Sequence, residues 1–170
     1  MPDLQQSRDE RNIPIDKVGV KNIRYPIVVL DKSKERQHTV ARINMYVDLP
    51  HHFKGTHMSR FIEILNEYRG EMTVHKMPEL LQAMRDRLEA ETAHIEIEFP
   101  YFIEKEAPAS RARSLMDYEC FFLGTLGAEL DFILGVRVPL TSLCPCSKEI
   151  SRYGAHNQRS LVTVQVRSRD

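Results

Sequence analysis

The sequence predicts an α+β fold built on an antiparallel sheet, and three observations carry that reading. Apolar and polar residues alternate with period two over several long stretches. Two segments between them carry apolar residues at helical spacing. In order these patterns run β-β-α-α-β-β over residues 18–126, a first unit, and after Gly127 the alternation starts again as the opening hairpin of a second, incomplete unit over residues 127–170.

Residues 1–17 hold Asp3, Arg8, Asp9, Glu10 and Arg11 and read as a polar N-terminal arm without the apolar stretch of a signal peptide. Val18 to Leu30, rich in Val, Ile and Tyr, reads as the first strand, and Pro26 points to a sheet edge or a bulge. A charged turn over Asp31 to Gln37 leads into a second strand, His38 to Leu49, with Ala41, Ile43, Met45 and Val47 on one face; Pro50 stops it. A helix is predicted from Thr56 to Tyr68 on the stripe Met58, Phe61, Ile62, Leu65 and Tyr68, with Gly70 as its stop. A second, Pro78 to Ala90, tolerates proline in its first turn and groups Leu80, Leu81, Met84 and Leu88.

Two strands follow. Over Ala93 to Glu104, Ile95, Ile97, Phe99, Tyr101 and Ile103 alternate with His94, Glu96, Glu98 and Glu104, whose polar face reads as solvated. Over Arg113 to Leu123, Met116, Tyr118, Cys120 and Phe122 alternate with Asp117 and Glu119, so Cys120 is assigned to the core. In the second unit, Phe132, Leu134, Val136, Val138 and Leu140 share one strand, and Leu161 to Arg167 form another with Val162, Val164 and Val166 on one face. A hairpin with an apolar face and no helices leaves a face and an edge uncovered. The expectation is that the sequence is part of a longer chain, with cover by another subunit as the alternative.

Composition narrows the class. Hydrophobic residues make up 42% of the 170 and charged residues 28%, ordinary for a protein with a packed core. Lys+Arg and Asp+Glu both number 24, so net charge gives no reason to expect nucleic acid or a membrane surface. No apolar run approaches the roughly 20 residues of a membrane span, and the expectation is a soluble, cytoplasmic protein. Three cysteines are too few for a disulfide scaffold; Cys144 and Cys146, flanking Pro145, are badly placed to bridge each other, which leaves at least one thiol for other chemistry.

Two clusters are chemically loaded. In Pro50-His51-His52-Phe53-Lys54-Gly55-Thr56-His57-Met58-Ser59-Arg60, three histidines, a lysine and an arginine gather at a helix N-terminus, whose free N–H groups suit a phosphate. The plainer reading is a loop whose Thr56 or Ser59 caps the helix. In Thr141 to Glu149, followed by His156 within Gly154-Ala155-His156-Asn157-Gln158-Arg159, a thiol and an imidazole of zinc-ligand type share one hairpin loop. Their spacing matches no zinc finger, and the competing reading is a pair of inert buried cysteines.

On these stretches the chain resembles the type IB GTP cyclohydrolases of the tunnelling fold. The matching residues are SRDERNIPIDKVGVK near the start, VDLPHHFKGTHMSRF, and SLCPCSKEISRYGAHNQRS. The resemblance implies two tandem β-β-α-α-β-β units per subunit, a homotetramer with sites at its interfaces, and a divalent metal, Zn2+ or Mn2+. It implies hydrolysis of GTP to 7,8-dihydroneopterin triphosphate and formate, the entry step to folate and other pterins. By the same resemblance Cys144 is a metal ligand and catalytic residue, His156 belongs to the same site as ligand and catalytic group, and His57, Ser59 and Arg60 bind substrate. Acidic residues that complete the metal site and anchor the guanine are expected beyond Asp170. Two competitors are weighed: a nitrile reductase of the same fold acting on a deazaguanine, whose Glu-Ser-Lys-Ser-Leu-Lys-like stretch Ser147-Lys148-Glu149-Ile150-Ser151 only faintly echoes, and a metal-binding scaffold without turnover.

Overall fold

The computed structural model describes residues 13–32, 35–51, 53, 55–154 and 156–168. Six strands, β1 (Ile15–Asp31), β2 (Glu35–Leu49), β3 (Ala93–Glu106), β4 (Arg113–Leu126), β5 (Leu130–Leu143) and β6 (Asn157–Ser168), make one antiparallel sheet in sequence order. Helices α1 (Met58–Tyr68) and α2 (Met77–Leu88) connect β2 to β3, with a 3₁₀ turn at Val74–Lys76 between them, and a short α3 (Pro145–Ile150) sits between β5 and β6. This is the α+β antiparallel class that the alternation predicts. No helix among the described residues is long and apolar enough to cross a membrane.

The core forms where α1 and α2 lie on one face of β1–β4. Ile43, Met45 and Val47 of β2 meet Ile97, Ile95 and Ala93 of β3 in register, and all are buried with Phe61, Ile64, Leu65, Leu80, Leu81 and Met84 of the helices. The inward stripe of α1 differs from the expected one: Ile64 is buried, while Met58 and Ile62 are exposed. Residues 61, 64, 65 and 68 share a face at i, i+3, i+4 and i+7, and Ile62 falls on its flank. The last turn of α2 closes on Glu89 in the left-handed conformation (φ 54°), whose N–H donates to Arg85 O.

Two prolines shape the sheet. Pro26 lies in the edge strand β1, which bears out the edge of the two readings; it pairs in regular register with Val40, and the β1–β2 register shifts fall earlier in the strand, between Ile15 and Val18 and between Val20 and Ile23. The strand starts at Ile15, paired with Leu49, three residues before the expected Val18. Pro100 in β3 has no N–H for β2, and β2–β3 backbone pairing ends at Arg42–Glu98. Side chains bridge the gap beyond: Thr39 Oγ1 donates to Pro100 O at 2.8 Å, and the Gln37 amide both donates to Phe102 O (2.9 Å) and accepts from Phe102 N (2.7 Å).

The opposite face is polar and ion-paired. Arg42 meets Glu98 at 2.9 Å, and Arg137 bridges Glu119 (2.5 Å) and Glu98 (3.7 Å) while its guanidinium lies over the Phe121 ring. Phe121 lies across Gly135, where a Cβ would come within 2.0 Å of the ring, so only glycine fits beneath it. His94, expected on a solvated face, is half-buried with Nδ1 3.0 Å from Thr125 Oγ1; burial, then Lys17, holds its pKa below the ordinary value.

The sheet continues past the helices. Cys120–Val136–Val164 and Phe122–Leu134–Val166 extend the core-side rows into β5 and β6, where Leu134, Leu140, Val162, Val164 and Val166 are exposed. At the boundary lies an apolar groove of about 260 Å³ lined by Val29, Met72, Phe99, Cys120, Phe122 and Leu134. Cys120 packs against the core yet borders this groove, and burial pushes its thiol pKa up.

Candidate functional site

The β5–β6 hairpin sets Cys144 against His156. Its rungs hold one register from Phe132–Ser168 to Leu143–Asn157, and the N–H of Cys144 donates to His156 O at 3.2 Å, continuing that register by one position. Residues opposed in this way share a face, with Cβ atoms about 4.5–5.5 Å apart. The intervening chain winds into α3 and turns back at Gly154, whose φ is +102°.

Cys144 is the N-cap residue of α3, and Pro145 begins the helix where its missing N–H costs nothing. No side-chain capping hydrogen bond forms in the usual geometry, but the backbone N–H and then the hydroxyl of Ser147 hold the thiol pKa below 9.0, with slight burial opposing and Cys146 adding to the effect. A thiol so placed ionises more readily than a free one, the condition for acting as a ligand or nucleophile. Cys144 is partly buried and Cys146 exposed, so the reading of two inert buried cysteines fails. His156 is exposed, its Nδ1 3.4 Å from Asn157 O.

A thiolate and an imidazole suit a zinc-type cation in kind. Among the described residues no group of three or more His, Cys, Asp or Glu side chains assembles, so this pair supplies part of a coordination shell.

The histidine-rich cluster lies elsewhere. His57, not Thr56 or Ser59, occupies the N-cap of α1, in extended conformation and without a side-chain capping bond. Arg60 Nη1 donates to Arg87 O at 2.8 Å, serving a carbonyl in the last turns of α2. His57 and Arg60 border a small crevice with Phe53, Gly55 and Leu88, while Ser59 is exposed in the first turn of α1. His52 and Lys54 fall outside the described residues.

Strand directions keep the two clusters apart. β2 ends at Leu49, level with the start of β5, whereas Cys144 follows the far end of β5. Thirteen strand steps of about 3.3 Å put them on the order of 40 Å apart along the sheet. Within one chain, Cys144 and His156 come together; His57, Ser59 and Arg60 do not join them.

Sequence reasoning misses Ser147 as the neighbour that tunes Cys144, because the pattern after Cys144 predicts a loop and the structure forms α3 there. The signal was present in Cys-Pro, a cap residue followed by a proline at the first helical position. Nothing local marks Arg60 as the partner of a carbonyl 27 residues away.

The fold and this hairpin thus describe an α+β protein whose long antiparallel sheet carries a thiol and an imidazole on facing strands at one end. Among solved structures, a hyper-thermostable AgUricase mutant is similar in fold alone, with a TM-score of 0.53 at 10% identity, covering 89% of this chain and 59% of that one. The chain belongs to the type I GTP cyclohydrolase folE2 family, whose model matches residues 1–170. Proteins named GTP cyclohydrolase FolE2 from Syntrophotalea carbinolica (71% identical over 167 residues), Geobacter metallireducens (68% over 170) and Geotalea uraniireducens (69% over 170) are similar over 98–100% of this chain. The chain spans 63%, 65% and 63% of their respective lengths.

Proposed function

We propose that these 170 residues serve a metal-dependent GTP cyclohydrolase, which opens the purine of GTP at carbon 8 and releases formate to give 7,8-dihydroneopterin triphosphate. The observation that carries the reading is Cys144, its thiol pKa lowered beside Ser147, opposite His156 one position beyond the last rung of β5–β6. The names of relatives up to 71% identical support the substrate.

In this reading Cys144 and His156 hold a Zn2+ or Mn2+ ion, the remaining ligands coming from residues outside the described chain. Such an ion supplies Lewis acidity that brings the pKa of a bound water from about 15.7 toward roughly 7. Cys144, its thiol pKa lowered by the Ser147 N–H and hydroxyl, gives up its proton to an incoming ion more readily than an ordinary thiol. Where other ligands hold the ion with Cys144, His156 on the facing strand is instead the imidazole available for the proton transfers of ring opening. His57, Ser59 and Arg60, or the basic residues of the Lys148 to Arg159 loop, hold the triphosphate; for the first group, its separation from Cys144 is the reason to propose a site shared between subunits, in a homotetramer. The sheet is read as one tunnelling-fold unit over 18–126 and the opening hairpin of a second over 127–170, behind an arm over 1–17, in a cytoplasmic protein.

The test is pterin fluorescence from GTP in the presence of Zn2+ or Mn2+, with formate measured in parallel. Cys144→Ala is expected to abolish turnover and weaken metal binding. Near-normal turnover by metal-replete Cys144→Ala overturns the assignment, and NADPH oxidation with a deazaguanine nitrile in place of formate release favours the reductase.

A further inference from the structure

The geometry points to Gly154 as a positioning residue: its left-handed backbone turns the chain after α3 so that His156 returns to the rung opposite Cys144 and the two donors face one cation. The inference rests on the metal reading above and adds a residue to it. Three observations carry it. Gly154 is the one glycine with positive φ among the described residues, at +102°. A Cβ built on it meets nothing within 4 Å, so no steric reason excludes a larger residue there. Two residues on, His156 O accepts the Cys144 N–H at 3.2 Å, in line with the register of the whole hairpin.

The chain between the donors has a geometric problem to solve. α3 runs from Pro145 to Ile150 and ends on Ser151 in extended conformation, its N–H bonded to Ser147 O. From there a few residues must reverse direction and re-enter β6 at Asn157 in a register set by Leu143. A one-residue slip in a β ladder moves a side chain to the other face of the sheet. A slip here would therefore turn the imidazole away from the thiolate. An L-residue at φ +102° is strained by its chirality alone, and the exposed loop would relax that strain by moving.

Chirality gives the experiment its control. Native chemical ligation at Cys144 joins residues 1–143 to synthetic 144–170 carrying glycine, L-alanine or D-alanine at 154; the alanines have the same Cβ, but only D-alanine favours positive φ. Two readouts are taken: the thiolate-to-cobalt charge-transfer absorption on adding Co2+ alone, and hydrogen-exchange protection of the Cys144 amide. Gly154→Ala is expected to weaken Co2+ binding roughly tenfold and to lower amide protection, with far-UV circular dichroism unchanged, while Gly154→D-Ala restores both. Gly70→Ala, at a glycine with open space and ordinary φ, should change neither.

If Gly154→Ala matches the glycine protein in both readouts, or if L- and D-alanine weaken both equally, the positioning role is overturned. If the glycine protein gives no thiolate-to-cobalt band, the metal reading fails; amide protection then still decides whether Gly154 sets the rung.

Discussion

β2 and β6 are both long antiparallel strands with an apolar face, and their fates differ. Ile43, Met45 and Val47 of β2 are wholly buried, whereas Val162, Val164 and Val166 of β6 are 39%, 46% and 59% exposed. The faces are one continuous side of one sheet, linked rung by rung through β3, β4 and β5. What separates them is cover, since α1 and α2 lie over the first four strands and nothing described lies over the hairpin. Alternation declares which face is apolar; only a second layer turns that declaration into stability.

The largest test of the contrast is truncation in each half. Phe61→Ala, at a fully buried ring in α1, should destabilise by about 3–5 kcal/mol, and Val164→Ala by about 0.5 kcal/mol or less, read as shifts of the urea midpoint. Equal costs would mean the hairpin face is covered in solution, and the contrast as drawn would break.

The cysteines sharpen the same comparison. Burial raises the Cys120 thiol pKa above 9.0, while the Ser147 N–H and hydroxyl lower that of Cys144 below it. A lowered pKa keeps thiolate present to lower pH, so alkylation of Cys144 should reach half its maximal rate below pH 9.0 and that of Cys120 above it. At pH 7 the expected rate ratio is about an order of magnitude in favour of Cys144, measured in single-cysteine variants. Coincident profiles would remove the electrostatic difference between the two regions.

The smallest effect belongs to the helix layer. Arg87 grips both oxygens of Glu67, at 2.6 and 2.7 Å, tying α2 to α1 at the surface. The Arg87 hydrogen bond lowers the Glu67 pKa below 4.5, so the stabilisation is present at neutral pH and is lost as pH falls through the folded-state value. Glu67→Gln should cost little, less still at high salt, and should flatten the acid limb of a stability–pH curve. A large loss independent of salt would mean the clamp organises the layer.

Much of this molecule is legible in its residues. The six strands and the two long helices follow from periodicity, because alternation, helical stripes and turn residues act through neighbours in the chain. α3 is harder to see because Cys-Pro-Cys resembles a loop until its first residue is taken as a cap. The burial of Phe121 on the polar face escapes alternation altogether, since it depends on a glycine 14 residues away in β5.

Local order along the chain therefore determined the elements, the apolar side of each strand and the chemistry gathered in the β5–β6 loop. Tertiary structure alone decided that α1 and α2 cover β1–β4, that Cys144 and His156 meet on one rung, and that the His57–Arg60 cluster lies at the opposite end of the sheet. Proximity across a sheet is set by register, strand direction and what packs above, and those couple residues that no short window of sequence contains.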